Sequence, residues 1–189
     1  MINVEHKLNN MEKNMKKIIP LLLLVPFLSQ AENVKQEINA PRGAFGIEFG
    51  QNLSTLKVIN QSKTKNGIIY QIKVPKPFKG YNVKDYYVFT TPKTKKIYSI
   101  IGNKNITKNE CVIEKNNIVS ILENKYGKSK LLDDENSWFE FDNIDINVVC
   151  HNDENGNNLT IMYNNVDLYH LAEKEKKENL IKMTDSSML

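Results

Sequence analysis

The chain has 189 residues, of which 26 are Lys or Arg and 22 are Asp or Glu, so its formal net charge is +4 at pH 7. This length is enough for one domain with a sizeable core, and so small an excess of positive charge gives no electrostatic case for nucleic-acid binding. Arg42 is the only arginine, which weakens any function that needs bidentate contacts to phosphate.

The first element in chain order is an apolar segment with the features of a secretory leader. Two lysines precede an apolar run of 11 residues from Ile18 to Leu28, and small residues occupy positions 29 and 31. This order is typical of a cleaved signal peptide, and the run is shorter than the roughly 20 residues that a membrane-spanning helix needs. We predict a signal peptide over residues 1–31, of which residues 1–10 are an upstream extension.

Cleavage after Ala31 leaves 158 of the 189 residues, with 22 basic and 20 acidic side chains and a net charge of +2. We expect this exported chain in the periplasm or outside the cell, with no membrane span of its own. Within it we predict a polar lead-in over residues 32–44, a single domain over residues 45–170, and a charged helix end and tail over residues 171–189.

The first half of the domain is predicted as a short strand, a helix and three further strands. Residues 45–50 alternate between apolar and small or polar side chains, as in a strand. Leu53, Leu56 and Ile59 recur at helical spacing, and residues 60–66 are predicted as a loop. Alternating apolar residues then predict strands at residues 68–74, 86–90 and 97–101, whose short connections favour antiparallel pairing.

The second half repeats that order of elements. Thr107 and Glu110 have the spacing of a capping box at the start of a helix, and Gly127 is typical of a helix end. Alternation then predicts three strands, at residues 138–141, 144–150 and 159–163. A charged, partly amphipathic helix is predicted from residue 166 to about residue 181.

The two cysteines of the chain are predicted to form a disulfide. Cys111 lies on the apolar stripe of the first long helix, and Cys150 lies on the apolar face of its strand. In an oxidising compartment this pair would close a loop of about 40 residues and stabilise the fold by roughly 3 to 4 kcal/mol. The alternative is a reactive or metal-binding cysteine, but the chain contains no CxxC motif.

These elements predict an α+β fold, with an antiparallel sheet, helices packed on one face and a tandem helix-plus-three-strand pseudo-repeat. Together with the glycine-framed start at Phe49 and Gly50, followed by Leu53 and Leu56, this order resembles the small exported domains of the BamE and β-lactamase-inhibitor-protein type. The resemblance covers about residues 45–165. It implies a domain that binds other proteins and does not catalyse, although a fold alone does not transfer a function.

Motifs that would mark an enzyme are missing from the sequence. The chain has no nucleophile elbow, zinc-protease helix, P-loop or dinucleotide fingerprint. His151 and His170 are predicted to be solvent-facing residues of a strand and a helix. The loop from Asp153 to Asn158 begins like a calcium loop but lacks its central glycine and final glutamate. We therefore predict no catalytic residue, cofactor or metal ligand, and the loop's capacity to bind calcium stays open.

Three aromatic residues are candidate contacts to a partner. Phe78 and Tyr81 lie on a proline-rich loop between two lysines, and Trp138 begins a strand. Rigid aromatic side chains often anchor protein partners. The alternative is that all three pack onto the domain's own core.

The predicted function is that of a non-enzymatic exported protein that binds another protein, for example as an immunity protein or an inhibitor. It would cover its partner with the open face of its sheet or with its loops. The alternatives are an assembly or structural accessory of the cell envelope, and an enzyme of unrecognised type. The sequence predicts neither the partner nor the oligomeric state.

Overall fold

The computed structural model describes residues 40–65, 67–131, 133, 135–153 and 156–186, which belong to one compact unit. The predicted signal peptide and most of the polar lead-in lie outside the described residues. The helices are α1 (Lys108–Tyr126) and α2 (Val166–Ser186). The strands are β1 (Gly43–Ala44), β2 (Ile47–Glu48), β3 (Lys57–Thr64), β4 (Gly67–Lys73), β5 (Asp85–Thr90), β6 (Ile97–Ile106), β7 (Lys130–Leu131), β8 (Asn136–Glu140), β9 (Ile144–Asp153) and β10 (Gly156–Asn165).

Eight of these strands form one antiparallel sheet in the order β3-β4-β5-β6-β10-β9-β8-β7. The chain therefore runs through four strands, crosses by helix α1, and runs through four more. The two halves join in the middle of the sheet, where β6 pairs with β10 over eight residue pairs from Asn157↔Ile106 to Asn164↔Ser99. The predicted α+β class, with an antiparallel sheet and helices packed against it, is confirmed. Each half of the sheet has four strands, not the three of the predicted pseudo-repeat, and the two helices do not share one face.

One face of the sheet, which we call the closed face, carries the hydrophobic core. Residues that pair across neighbouring strands form a continuous buried row through its centre: Tyr70, Val88, Ile100, Tyr163, Ile146 and Phe139. Helix α1 covers β9 and β10 on this side, and its own residues Ile118 and Leu122 are buried. Burial of such side chains is the main source of stability, so this face holds the fold together.

The disulfide joins helix α1 to the closed face. Cys111 and Cys150 are bonded, with their Cα atoms 5.9 Å apart and a sequence separation of 39. Cys111 lies in the first turn of the helix and Cys150 on strand β9. The predicted pairing and the inward orientation of both side chains are confirmed.

The segment before β3 covers the other part of the closed face through Phe45. The prediction of one strand over residues 45–50 is wrong, because Phe45 and Gly46 form the turn between β1 and β2, with φ angles of 54° and 82°. A positive φ is costly for a residue with a side chain. The Phe45 ring packs edge-on against Tyr86 and Tyr163, at centroid distances of 4.9 and 5.7 Å, and this packing holds the turn.

The helix predicted at Leu53–Ile59 and the loop predicted at residues 60–66 are also wrong. A single 3₁₀ turn spans Leu53–Thr55, capped by the side chain of Asn52, and strand β3 follows it. This strand is exposed on both faces, so its sequence has no alternation of apolar and polar residues. A bulge between Val58 and Asn60 further breaks the pattern. Its strand conformation is set by backbone pairing with β4.

Helix α2 begins directly after β10 and crosses the end of the sheet where β5 turns into β6. Its Glu175 is 4 % exposed. One carboxylate oxygen accepts hydrogen bonds from the backbone amides of Lys93 and Thr94, at 2.6 and 3.1 Å. The other accepts one from the Thr94 hydroxyl at 2.7 Å. The helix predicted from residue 166 is confirmed, and this contact fixes it to the β5–β6 turn.

Candidate functional site

The face of the sheet opposite helix α1, which we call the open face, is a surface available to a partner. The register places a row of side chains across its centre, namely Gln71, Tyr87, Ile101, Met162, Asn147 and Trp138. Apart from the first turns of α2, no element of the described chain packs over this face. Most of the row is half-buried by neighbouring side chains, and Ile101 is buried.

Trp138 lies near one edge of the open face, on β8. It pairs with Asn147 on one side and with Lys130 on the other, and the Lys130 Nζ stands 5.4 Å from the centre of its ring. Lys130 also forms an ion pair with Glu140. The indole Nε1 is buried and has no hydrogen-bond partner. A buried donor without an acceptor costs about 1 to 3 kcal/mol.

A half-buried carboxylate occupies the adjoining row of the open face. Asp145 Oδ1 accepts hydrogen bonds from the amide groups of Asn147 and Asn164, at 2.8 and 2.7 Å. Burial raises the pKa of Asp145 above its ordinary value, and the nearby charge of Glu140 adds to the rise, while the two amide hydrogen bonds oppose it. The site therefore disfavours the unpaired negative charge and favours a compensating cation.

A cavity of about 450 Å³ lies between this row and the first turns of α2. Ser99, Asp145 and His170 all line it, which brings together a set of residue types known from hydrolytic triads. The hydrogen bonds of a triad are not formed here, however, because Asp145 is bonded to two asparagines and the Ser99 hydroxyl has no partner. Ser99 is also only 2 % exposed, so a substrate carbonyl has no approach to it.

His170 and His151 are exposed in the structure, as the sequence predicted. No local pattern in the sequence places His170 beside Ser99 and Asp145, because the three residues lie on α2, β6 and β9. The alternation along β9 did place Asp145 and Asn147 on the side opposite Cys150. Their side-by-side contact with Asn164 on β10 depends on the register of the two strands.

The predicted partner contacts Phe78 and Tyr81 are half-buried and pack against the core. Their rings stack with centroids 5.1 Å apart, and the Phe78 ring meets Phe45 edge-on at 6.2 Å. The Phe78 backbone amide donates to the hydroxyl of Tyr86 at 2.8 Å. Both aromatic rings thus help to hold the loop on the closed face, and their role in binding stays a prediction.

A second cavity, of about 720 Å³, lies on the closed-face side between the β1–β2 turn, the Phe78 loop and the end of α1. Four cationic residues line it: Arg42, Lys76, Lys79 and Lys125. Its lining begins at Ala40, the first residue that the structure describes.

Within the described part of the chain, no three His, Cys, Asp or Glu side chains come together as metal ligands. The calcium-like loop contains Glu154 and Asn155, which lie outside the described residues. Among the helices that the structure describes, none has the length and apolar character needed to cross a bilayer. Comparisons with family models, curated proteins and solved structures gave no match to this chain.

Proposed function

We propose that this protein is an exported, non-enzymatic binding protein that takes a partner protein on the open face of its sheet. An inhibitor or immunity protein is the form of this function that suits its size best. The partner would lie across the central row of the open face and bury Trp138 near one edge.

The composition of the open face supports this proposal. Tyrosine, tryptophan, phenylalanine and methionine are enriched where proteins bind one another, and Tyr87, Phe89, Met162 and Trp138 all lie on this face. Amide side chains such as Asn147 lie between them and offer hydrogen bonds in both directions. A partner could therefore gain both apolar contact and polar specificity.

The buried, unpartnered Nε1 of Trp138 is the observation that carries the proposal. Tryptophan is among the residues that contribute most to binding energy in protein interfaces. An acceptor on the partner would satisfy this donor and remove a cost that the free protein bears. On the closed face, by contrast, Phe78 and Tyr81 are already engaged with the core.

Export to an oxidising compartment also belongs to the proposal. The disulfide between Cys111 and Cys150 is of a kind that persists in the periplasm and outside the cell. The charge and apolar pattern of residues 1–31 gives the route by which the chain would reach that compartment.

The proposal can be tested by site-specific photocrosslinking in the native cell envelope. A photoreactive phenylalanine analogue is placed at Tyr87 on the open face and, as a matched control, at Ile113, which is 63 % exposed on helix α1. We expect a discrete crosslinked product from position 87 only. Equal products from both positions, or none from either, would contradict the proposal.

The captured partner is then purified and its affinity measured against Trp138→Phe, which removes the indole N–H and keeps an aromatic ring. We expect the affinity to fall about tenfold, the equivalent of about 1.4 kcal/mol for one lost hydrogen bond. Ile113→Ala is the control and should bind as the wild type does. An unchanged affinity in Trp138→Phe would remove Trp138 from the interface.

A further inference from the structure

The cavity beside α2 has the size and lining of a small-molecule site. Its volume of about 450 Å³ falls within the range of roughly 300 to 1,000 Å³ typical of ligand pockets. Its walls are mostly apolar and its polar groups are few, as in such pockets. The space is much larger than one side chain of a docked protein would need.

The apolar wall comes from strands β5, β6 and β10 and from helix α2. Phe89 stacks on Tyr98 with ring centres 6.0 Å apart, and Tyr169 meets Tyr98 edge-on at 5.8 Å. Met162 completes this wall. Burial, with smaller contributions from Tyr169 and Glu173, raises the pKa of Tyr98 to about 12, so the Tyr98 hydroxyl stays neutral at physiological pH.

The polar side of the cavity contains two groups with unused hydrogen-bonding capacity. Asp145 accepts two hydrogen bonds from the described residues, and both go to its Oδ1 atom; its Oδ2 atom accepts none from them. The Ser99 hydroxyl is 2 % exposed and has no partner. Because Ser99 and Asp145 both pair with Asn164 from opposite sides, they lie two strand spacings apart, roughly 9 to 10 Å between Cα atoms.

The charge of the lining selects the ligand class. Asp145 is the only acidic residue that lines the cavity, no lysine or arginine of the described chain lines it, and His170 lies at its exposed rim. Aromatic rings are also attracted to cations through their electron-rich faces. An anionic ligand would meet a carboxylate here, whereas a cation would find both a carboxylate and aromatic rings.

We propose that this cavity binds a small organic primary amine. The ammonium donates to Asp145 Oδ2, and the apolar body lies against Phe89, Tyr98 and Met162. A primary ammonium has three donors, which suits a carboxylate with a vacant oxygen better than a methylated ammonium does. This binding goes beyond the proposed function, because it needs no partner protein.

The test uses purified full-length protein and tyramine as the probe, with tyrosol as its neutral counterpart, in which a hydroxyl replaces the ammonium. The methyl resonance of Met162 in protein labelled with ¹³C-methyl methionine reports binding at pH 8. We expect a saturable shift with tyramine and at least tenfold weaker binding of tyrosol. Equal binding of the two compounds, or no saturable shift with either, would overturn the proposal.

Two variants test the cation contact. Asp145→Asn should weaken tyramine binding at least tenfold. Asp85→Asn is the matched control, because Asp85 lies on the same face, accepts a hydrogen bond from Gln71 at 3.1 Å and does not line the cavity; it should bind as the wild type does. Unchanged binding in Asp145→Asn would overturn the proposed cation contact.

Discussion

The two faces of the sheet use the same strands for opposite purposes. On the closed face, Val88, Ile100 and Ile146 are fully buried in a row that extends across the sheet. On the open face, the neighbouring row contains half-buried Tyr87, Asn147 and Trp138. Successive residues of a strand point to opposite sides, so the chain separates stability from binding by alternation alone.

The open face also contains polar groups whose burial is costly. On the open face, the Ser99 hydroxyl and the Trp138 indole nitrogen are buried without partners, and Asp145 holds a charge that burial disfavours. Such costs are tolerated when the rest of the fold supplies enough stability. The closed face and the disulfide therefore supply the stability on which an incompletely satisfied open face depends.

The largest expected effect comes from the disulfide that anchors the closed face. Replacing both Cys111 and Cys150 by serine should lower the free energy of unfolding by about 3 to 4 kcal/mol, since the bond closes a loop of about 40 residues. Urea denaturation measures the loss. Adding a reductant should destabilise the wild type by a similar amount and leave the stability of the double variant unchanged. A double variant that loses stability on reduction would contradict the assignment of this stability to the disulfide.

Paired truncations on β9 and β10 compare the two faces directly. Ile146→Ala on the closed face, where Ile146 is 0 % exposed, should cost about 3 kcal/mol, because it leaves a cavity in the core. Met162→Ala on the open face should cost about 1 kcal/mol, since its side chain is only half-buried. Equal losses in thermal or urea unfolding would mean that the two faces contribute alike to stability.

The next effect concerns the contact between α2 and the β5–β6 turn. Glu175→Ala removes three hydrogen bonds and should cost about 2 kcal/mol. Burial acts to raise the pKa of Glu175, but hydrogen bonds from Thr94 and the Lys93 amide outweigh it and hold the pKa below its ordinary value of 4.5.

A lowered pKa means that the Glu175 carboxylate stabilises the fold above pH 4.5, and that this contribution is lost as the pH falls through the folded-state pKa. The difference between wild type and Glu175→Ala should therefore shrink in acid, as measured by urea unfolding across pH. Glu175→Gln, which keeps an acceptor oxygen, should lose less than Glu175→Ala. A difference that grows in acid would contradict the contact.

The smallest effect has the opposite sign. Burial raises the pKa of Asp145 above its ordinary value of 3.8, so ionisation as the pH rises through the folded-state pKa costs the fold stability. Asp145→Asn avoids this cost and keeps an oxygen to accept from Asn147 and Asn164. We expect it to be about 0.5 kcal/mol more stable than the wild type at pH 7, and the gain to disappear below pH 3.8. A less stable variant at pH 7 would contradict this.

The closed face was predictable because burial on one side imposes a two-residue period. Alternation along β4, β9 and β10 predicted the strands, and it placed Cys150 inward, opposite a helix whose apolar stripe contains Cys111. Strand β3 was not predicted, because no face of it is buried and its sequence therefore has no two-residue period. Its backbone hydrogen bonds to β4 decide its structure.

The open-face cavity was not predictable from local patterns. Ser99, Asp145 and His170 come from three elements, and only the register of β6, β10 and β9, with the path of α2, brings them to one space. The contact between Glu175 and Lys93 spans 82 residues in sequence. Alternation could show that Asp145 faces away from the core, but not which side chains it meets there.

Hydroxyl-radical footprinting tests the division between the faces most directly, by comparing the protein in its native envelope with the purified protein alone. If the open face binds a partner, Trp138 and Met162 should be oxidised several-fold more slowly in the envelope, while exposed Ile113 and Ile121 on α1 should react at unchanged rates. Unchanged rates at Trp138 and Met162, or protection on α1 instead, would contradict the assignment of binding to the open face.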